Sequence, residues 1–253
     1  MIESLFLMAG IIFRFYGDLN DFLPPARRQV AFAYETNGPQ SVKHLIESLG
    51  VPHPEVALIL NGNVPVGFSH QPQPGERIAV FPEFFSLDLA GVLPLRPPLP
   101  DPPAFLADNH LGRLVRLLRL LGIDTTYDHE LDDESLAERS RDENRVLLTR
   151  DRGLLKRSLV IWGYCLRTTD SHEQLRAVLH RFRLFDHVAP WTRCLRCNGS
   201  LHPVDKAAVL DRLEPKTKLY YEEFRQCDRC GQVYWQGSHI ENLLRIVEEI
   251  KKS

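Results

Sequence analysis

The sequence predicts two folded regions of different class, an α+β region followed by an α/β region with a parallel sheet. Three observations support this prediction. First, residues 91–103 hold six prolines in thirteen positions, which excludes a helix or a central strand and indicates a stiff, extended linker. Second, the region before the linker contains a single helix pattern with strand patterns on both sides of it. Third, strand and helix patterns alternate after it, as is typical of a parallel sheet with helices on both faces.

The region before the linker, residues 1–90, has the element order ββαββ. Its strand patterns lie at residues 11–15, 30–34, 56–60 and 77–81. The first two are expected to form a hairpin. The helix pattern begins after Ser41, a residue suited to the N-cap, and stops at Gly50, a residue suited to the end of a helix. This order predicts a β-grasp, or ubiquitin-like, fold.

The region after the linker, residues 104–188, alternates strands and helices. Strand patterns lie at residues 104–107, 123–127, 145–149 and 160–166, and helix patterns at residues 111–121, 133–140 and 171–182. Leucines cover one broad face of the first helix, and Gly122 stops it. Arg113, Arg116 and Arg119 recur on the opposite face, where they are expected either to contact phosphates or to form an ordinary solvated surface.

The C-terminal region, residues 189–253, contains two Cys-x-x-Cys pairs. Their four cysteines are Cys194, Cys197, Cys227 and Cys230. Two such turns facing each other would supply the four thiolates that tetrahedral Zn²⁺ prefers, so the spacing predicts a zinc ribbon, with a last helix at residues 240–250. Two disulfides or a redox motif are the alternatives, but a redox motif needs one pair, and disulfides suit a secreted chain. Because four thiolates leave no open coordination position, this zinc is expected to be structural.

The composition is ordinary for a soluble globular protein, with 43% hydrophobic and 25% charged residues and a net charge of −2. This charge gives no global signal for nucleic acid. The apolar stretch at residues 1–15 is interrupted by Glu3 and Arg14, so it predicts neither a membrane span nor a signal peptide. Cys165 lies in an apolar run and is interpreted as a buried thiol. These features predict a reducing, cytoplasmic setting without membrane association.

Three aspartates stand where a ligand is expected in the α/β region. Asp108 follows the first strand, Asp151 follows the third, and Asp133 opens the helix between them. Ligands of open α/β sheets bind outside the carboxyl ends of the strands. Clustered carboxylates usually need a cation, and hard oxygen ligands select Mg²⁺ or Mn²⁺. The alternative for each aspartate is an N-cap, which is the commoner role of Asp before a helix.

Basic side chains accompany these aspartates. Arg150 and Lys156 flank Asp151 in the chain. They are candidates for contact with a nucleic-acid backbone, as are Arg113 and Arg116 on the preceding helix. No platform of interleaved aromatic and basic residues is visible in this region, so phosphate contacts are the form of substrate binding that the sequence predicts.

Several segments carry a family resemblance: FLADNHLGRLVRLLRLLGIDTTYD, LDDESLAERSRDENRVLLTRDRGLLKR, RCLRCNGSL and CDRCGQVYWQGSH. From about Ala104 to about Val247 the sequence resembles the mut-seven C-terminal RNase domain, a PIN-like nuclease core with an appended zinc ribbon. The N-terminal half resembles the ubiquitin-like domain often fused ahead of this RNase. Its segments LILNGNVPV and PQPGERIAVFP are also similar to sulfur-carrier proteins, but the Gly-Gly terminus that those carriers activate is absent. Sulfur transfer is therefore disfavoured.

The resemblance implies a PIN-like α/β/α parallel sheet and metal-dependent cleavage of RNA by acidic residues. Asp108 matches the acid after the first strand, Asp133 the acid that opens the later helix, and Asp151 the acid of the Thr-x-Asp segment. Many PIN domains carry one more acid on an early helix, but residues 111–121 contain none. Asp170 is a candidate substitute, although its setting also suits an N-cap.

The leading hypothesis is a ribonuclease that hydrolyses RNA phosphodiester bonds with Mg²⁺ or Mn²⁺ held by Asp108, Asp133 and Asp151. Phosphate contacts are expected from Arg113, Arg116, Arg150 and Lys156. The alternative is an RNA- or ribosome-associated binding protein with weak or no activity, which the missing helix acid and the near-neutral charge favour. The ubiquitin-like region is expected to bind a partner protein or RNA.

Overall fold

The computed structural model of the protein describes residues 10–83, 94–236, 245 and 247–250. The chain divides into two compact units. The first comprises Met1–Leu99 together with Asp151–Cys165, and the second comprises Pro100–Arg150 together with Leu166–Ser253. The first unit therefore contains a short segment taken from within the predicted α/β region.

The first unit is organised around a five-stranded mixed sheet. Its elements in residues 10–83 are β1 (Ile11–Phe15), β2 (Phe32–Tyr34), α1 (Val42–Ser48), β3 (Val56–Asn61), β4 (Val64–Pro65) and β5 (Arg77–Pro82). The strand order is β2-β1-β5-β3-β4, with β1 parallel to β5 and the other pairs antiparallel. A parallel pair between the first and last strands is the β-grasp arrangement, so the predicted ubiquitin-like fold and its hairpin are confirmed.

Helix α1 begins and ends where the sequence predicts. The Ser41 hydroxyl accepts a hydrogen bond from the His44 N–H at 3.3 Å. Gly50 has a left-handed backbone with φ of 101°, a conformation that glycine adopts without steric cost. The apolar face of the helix joins the buried core of the unit, which includes Phe13, Phe15, Leu45, Ile46 and Ile59.

The remaining elements lie in residues 94–236. In chain order they are β6 (Phe105–Ala107), α2 (Gly112–Leu120), β7 (Thr125–Tyr127), α3 (Asp133–Asp142), β8 (Val146–Thr149), α4 (Arg152–Leu155), β9 (Gly163–Cys165), α5 (Ser171–Arg181), β10 (Leu201–Val204), α6 (Lys206–Val209), α7 (Pro215–Tyr220), β11 (Phe224–Cys227) and β12 (Val233–Trp235). Elements α4 and β9 belong to the first unit and the others to the second. Strand β9 is shorter than predicted because the Val160 N–H donates to the Arg157 carbonyl oxygen at 3.1 Å and forms a turn instead.

The predicted linker is extended where the structure describes it. Residues 94–103 form neither a helix nor a strand, as their proline content predicts. Residues 91–93, the start of the predicted linker, lie outside the described residues.

A parallel sheet forms the centre of the second unit. Strand β6 pairs in parallel with β7 on one side and with β8 on the other. All residues of β6 and β8 are buried, and helix α2 buries Leu114, Val115 and Leu118. Gly122 ends this helix with φ of 82°, and a Cβ at this position would collide with the Ala189 carbonyl oxygen. The predicted combination of parallel sheet and covering helix is confirmed.

The C-terminal part of the second unit is a small antiparallel sheet in the order β10-β11-β12. Phe224 and Val233 of this sheet form a buried cluster with Val209 and Leu213, which lie between β10 and β11 in the chain. Residues 245 and 247–250 are helical, and the rest of the helix predicted at residues 240–250 lies outside the described residues. No helix in the described ranges is both long and apolar enough to cross a membrane.

Candidate active site and metal centre

Four thiols converge in the second unit. The Sγ atoms of Cys194, Cys197, Cys227 and Cys230 all lie within 4.8 Å of one another. Across the two turns, Cys194 Sγ is 3.6 Å from Cys230 Sγ, and Cys197 Sγ is 3.4 Å from Cys227 Sγ. These separations are close to the ~3.8 Å expected between thiolates that each lie ~2.3 Å from a tetrahedral Zn²⁺, and far from the ~2.05 Å of a disulfide. The four cysteines can therefore hold a metal such as zinc.

Each Cys-x-x-Cys turn closes on a residue with a left-handed backbone. Asn198 directly follows the first pair with φ of 64°, and Gly231 directly follows the second with φ of 70°. Their N–H groups donate to the carbonyl oxygen of the first cysteine of the same pair, at 2.9 and 3.1 Å. Gly199 adds a close approach, because a Cβ there would lie 2.8 Å from Cys227 Sγ. The turns are therefore built from residues within or directly beside each pair.

The thiols differ in acidity. Burial by itself would raise the pKa of the Cys194 thiol, but hydrogen bonds from the Tyr234 hydroxyl and from the Cys197 and Arg196 N–H groups lower it to about 7. The Tyr234 hydroxyl oxygen lies 3.2 Å from Cys194 Sγ. Burial raises the pKa of Cys197 to about 12. The Cys194 thiol is therefore more readily ionised than the Cys197 thiol, and a cation that binds both must displace the proton of Cys197.

Arg119 supports the first cysteine turn from helix α2. Its Nε donates to the Thr125 carbonyl oxygen at 2.8 Å, and its Nη1 donates to the carbonyl oxygens of Leu195 and Arg196 at 3.0 and 3.1 Å. Arg119 is 4% exposed. Burial lowers the pKa of its guanidinium, against the attraction of Cys194, Cys197 and Asp124. The prediction that Arg119 lies on the solvated face with Arg113 and Arg116 is therefore wrong.

Asp124 is a second supporting residue, and no sequence pattern pointed to it. Its Oδ1 accepts hydrogen bonds from Arg145 Nη1 at 2.6 Å and from Asn198 Nδ2 at 2.8 Å, and its Oδ2 lies 3.1 Å from Arg193 Nη2. Burial would raise the pKa of this carboxyl, but these partners lower it. Asn198 Oδ1 also accepts the Thr125 N–H at 3.1 Å. The network joins the cysteine turn to the edge of the parallel sheet.

The predicted acids have different surroundings. Asp108 is 6% exposed, and its Oδ2 accepts a hydrogen bond from Thr149 Oγ1 at 2.6 Å. It stands at the N-cap of the short 3₁₀ turn Asn109–Leu111, but its side chain makes no capping hydrogen bond. Burying a carboxylate is costly unless it is paired. The N-cap alternative therefore does not explain why Asp108 is buried.

The other two predicted acids lie at helix starts. Asp133 is the exposed first residue of α3, and the cap is provided by Asp132, whose Oδ1 accepts the Ser135 N–H at 2.9 Å. Asp151 belongs to the first unit and caps α4, since its Oδ1 accepts from the N–H groups of Gly153 and Leu154 at 2.6 and 3.3 Å. Asp133 is therefore not the cap of its helix. Asp151 does cap its helix, which was the alternative to a metal-binding role.

A cavity of about 470 Å³ lies in the second unit, lined by residues that follow Asp108 in the chain. Arg113 and Arg150 both line it, with His110, Ser171 and Gln174. The turn that carries His110 starts at Asp108, because the Leu111 N–H donates to the Asp108 carbonyl oxygen at 3.0 Å. Arg150 directly follows Thr149, whose hydroxyl donates to the Asp108 carboxylate. Two arginines on the wall of one cavity can bind an anion such as a phosphate.

Comparison with protein families covers most of the chain. The Mut7-C RNAse domain matches residues 103–247, which is more than half of the sequence, and the Mut7-C ubiquitin domain matches residues 8–88. The chain belongs to the Mut7-C RNase family. The family has a nuclease-type function, in agreement with the resemblance seen in the sequence. A search of curated proteins and a search of solved structures found no match.

This Mut7-C chain brings together some of the predicted site residues. Of the four predicted phosphate contacts, Arg113 and Arg150 line one cavity, Arg116 is exposed on α2, and Lys156 belongs to the first unit. Sequence reasoning missed His110, although its place two residues after Asp108 was a signal that it would lie near the same strand end.

The predicted carboxylate metal site of the Mut7-C chain stays a prediction. Within the described ranges, the four cysteines are the one group of three or more histidine, cysteine or carboxylate ligands whose ligand atoms lie within 4.8 Å of one another. Asp108 and Asp133, both in the second unit, belong to no such group.

Proposed function

We propose that this Mut7-C chain is a metal-dependent ribonuclease that hydrolyses phosphodiester bonds of RNA. The observation that carries the proposal is Asp108, a buried carboxylate at the end of a parallel strand and free of a capping role. Two residues further on, His110 lines a cavity that Arg113 and Arg150 also line. Ligand sites of α/β sheets lie outside the carboxyl ends of the strands. The position of Asp108 therefore agrees with the nuclease-type function of the family.

The chain would hold its catalytic cation through carboxylates. Asp108 is the first ligand in this proposal, because Thr149 orients its carboxylate by the hydrogen bond at 2.6 Å. Asp133 and Asp151 complete the proposed ligand set. Mg²⁺ or Mn²⁺ bound there would activate a water molecule and stabilise the charge that develops on the scissile phosphate. Hard oxygen ligands favour these ions over zinc.

The arginines would hold the RNA. Arg113 and Arg150 present guanidinium groups to one cavity whose volume, about 470 Å³, lies within the ~300–1,000 Å³ range of ligand sites. Guanidinium groups bind phosphate oxygens in a bidentate manner. Arg116 and Lys156 are proposed as further contacts along the backbone. The cysteine-bound metal, proposed to be zinc, would have a structural role because four thiolates leave no open position.

Replacing Asp108 by asparagine tests the proposal. The variant keeps the size of the side chain and removes its charge, so RNA cleavage with Mn²⁺ should fall by about 100-fold or more, the order of loss seen when one electrostatic group of an active site is removed. Asp142→Asn is the matched control, because Asp142 is exposed and pairs only locally with Arg141 at 2.7 Å. Equal activity of Asp108→Asn and wild type would exclude Asp108 from the mechanism.

A second candidate is an RNA-binding protein with weak or no nuclease activity. The capping role of Asp151 and the absence of an acid from residues 111–121 favour it. Binding of RNA by the wild-type protein without turnover under Mg²⁺ or Mn²⁺ would support this candidate. In that case Arg113→Ala and Arg150→Ala should still weaken RNA binding, since the phosphate contacts do not depend on catalysis.

A further inference from the structure

A short segment of the RNase domain lies in the first compact unit, together with the ubiquitin-like region. This segment, residues 151–165, carries Asp151 and Lys156, and its regular structure is limited to the single helical turn α4 and the three-residue strand β9. Elements this short are not stable on their own in water. The order of the segment therefore depends on the tertiary contacts that it makes.

Two basic side chains in the first half of the segment contact the ubiquitin-like region. The Arg152 guanidinium lies 5.0 Å from the centroid of the Phe22 ring, within the range of a cation–π contact. Four residues on, Lys156 Nζ donates a hydrogen bond to the Glu47 carbonyl oxygen in α1 at 2.6 Å. Lys156, which was predicted to contact RNA, is thus engaged with the ubiquitin-like region in this structure.

His53 connects α1 of the ubiquitin-like region to the middle of the segment. Its Nε2 is 2.9 Å from the Val160 carbonyl oxygen, and its Nδ1 is 2.7 Å from Glu47 Oε1. A carbonyl oxygen can only accept, so Nε2 carries the proton that is donated to Val160. His53 is 6% exposed, which shields this pair of contacts from water.

Glu55 lies in the same 3₁₀ turn, His53–Glu55, and contacts the end of the segment. Its Oε1 accepts the Cys165 N–H at 2.6 Å. Glu55 is 1% exposed. A buried carboxylate costs stability unless it is well paired, and an apolar residue would serve packing alone at least as well. Its presence therefore indicates a specific contact with strand β9.

The linker adds a further contact. The Arg96 guanidinium lies 3.9 Å from the centroid of the Trp162 ring. The same guanidinium donates hydrogen bonds to the carbonyl oxygens of Pro54 and Val56, at 2.6 and 3.1 Å. Arg96 thus links Trp162 of the segment to the turn that contains His53 and Glu55. The contacts extend from Arg152 to Cys165, the whole length of the segment.

We propose that the ubiquitin-like region acts as an intramolecular docking domain whose ligand is residues 151–165 of its own chain. The docking surface consists of Phe22, Glu47, His53 and Glu55, and Arg96 of the linker adds to it. By holding this segment, the ubiquitin-like region orders the part of the RNase domain that bears Asp151. The consequence for catalysis depends on the proposed function, but the docking itself does not.

Hydrogen exchange of the full-length protein, followed by mass spectrometry, tests the docking. Glu55→Leu removes the acceptor of the Cys165 N–H and puts an apolar side chain of similar size in its place. Amides of residues 151–165 should exchange about tenfold faster or more, the change expected when a buried N–H loses its partner. Amides of β1, β3 and β5 should keep their protection. Glu35→Leu, at an exposed position of the same region, is the matched control and should leave exchange unchanged.

A second variant acts from the segment side, in case Glu55→Leu does not fold. Lys156→Met keeps the stem of the side chain and removes its hydrogen bond to α1, so it should also speed exchange of residues 151–165. Exchange within twofold of wild type in a folded Glu55→Leu or Lys156→Met protein would overturn the docking proposal.

RNA cleavage by the same variants separates the docking from the proposed function. If both proposals hold, Glu55→Leu should reduce cleavage with Mn²⁺ while Glu35→Leu should not. An inactive wild-type protein would refute the ribonuclease and leave the exchange result standing. Unchanged exchange would refute the docking whatever the activity.

Discussion

Replacing Arg119 by leucine should destabilise the second unit far more than replacing Arg116 by leucine. The two arginines lie three positions apart on α2, but Arg116 is exposed, whereas Arg119 is 4% exposed and donates to three carbonyl oxygens. Leucine has a helix propensity close to that of arginine. The substitution therefore removes the hydrogen bonds of the guanidinium with little effect on the helix itself.

The expected magnitude follows from the burial of the three acceptors. The Thr125 carbonyl oxygen is buried, and a buried acceptor without a donor costs about 1–3 kcal/mol. The bonds to Leu195 and Arg196 are half-buried, and their loss should cost about 0.5–1.5 kcal/mol each. Arg119→Leu should therefore lower the free energy of unfolding by about 2–6 kcal/mol, while Arg116→Leu should stay within about 0.5 kcal/mol of wild type.

Urea unfolding of the full-length, metal-loaded variants measures this difference. Release of the cysteine-bound metal to a chromophoric chelator reports the unfolding of the second unit, because the Arg119 bonds lie on the Cys194–Cys197 turn. Arg119→Leu should release its metal at a lower urea concentration than Arg116→Leu. If the two variants unfold within about 0.5 kcal/mol of each other, the guanidinium does not stabilise the cysteine turn and the reasoning from its three bonds is refuted.

Three further predictions concern charge, RNA binding and backbone conformation. Arg145 and Asn198 lower the pKa of Asp124 below its ordinary value of 3.8, against the effect of burial. The ionised Asp124 therefore contributes fully to stability above about pH 3.8, and this contribution is lost as the pH falls through the folded-state pKa. Acid unfolding followed by circular dichroism should be less steep for Asp124→Asn than for wild type. Arg113→Ala and Arg150→Ala should each weaken binding of single-stranded RNA and reduce the slope of log Kd against log salt by about one phosphate contact. The control variant Arg141→Ala should change neither quantity. Equal salt slopes for all three variants would contradict a phosphate-binding role of the cavity. Gly122→Ala should lower the free energy of unfolding by more than ~1 kcal/mol, measured by urea titration, because it adds strain at a positive φ and a collision with a carbonyl oxygen.

Features that depend on neighbouring residues were predicted well. The cysteine turns close through Asn198 and Gly231, each directly after its pair, so the Cys-x-x-Cys spacing was sufficient to predict the two turns. Helix α1 begins at its Ser41 cap, and the strands of the β-grasp sheet follow the apolar runs. In each case the interactions that select the conformation act over a few positions, and these can be read from the chain.

Asp108 was predicted correctly as a residue at a strand end, but its special position was not visible in the sequence. Its hydrogen bond to Thr149 crosses forty-one positions of the chain and exists because β6 and β8 are neighbours in the sheet. The same applies to the cavity, where Arg113 and Arg150 meet from two separate elements. Asp151, by contrast, caps its own helix through local bonds, the alternative that the sequence had left open.

Arg119 and residues 151–165 mark the limit of inference from local pattern in this protein. Helical periodicity assigned Arg119 to the solvated side of the helix. The carbonyl oxygens that accept its hydrogen bonds belong to a cysteine turn seventy-six positions away, which a local pattern does not describe. Likewise, residues 151–165 read as part of the RNase domain, yet their partners His53 and Glu55 lie more than a hundred positions earlier. Apolar spacing, caps and cysteine pairs are short-range information and are written along the chain. The choice of which polar groups become buried together arises when distant segments pack, because a buried donor or acceptor must find its partner wherever the fold has placed one.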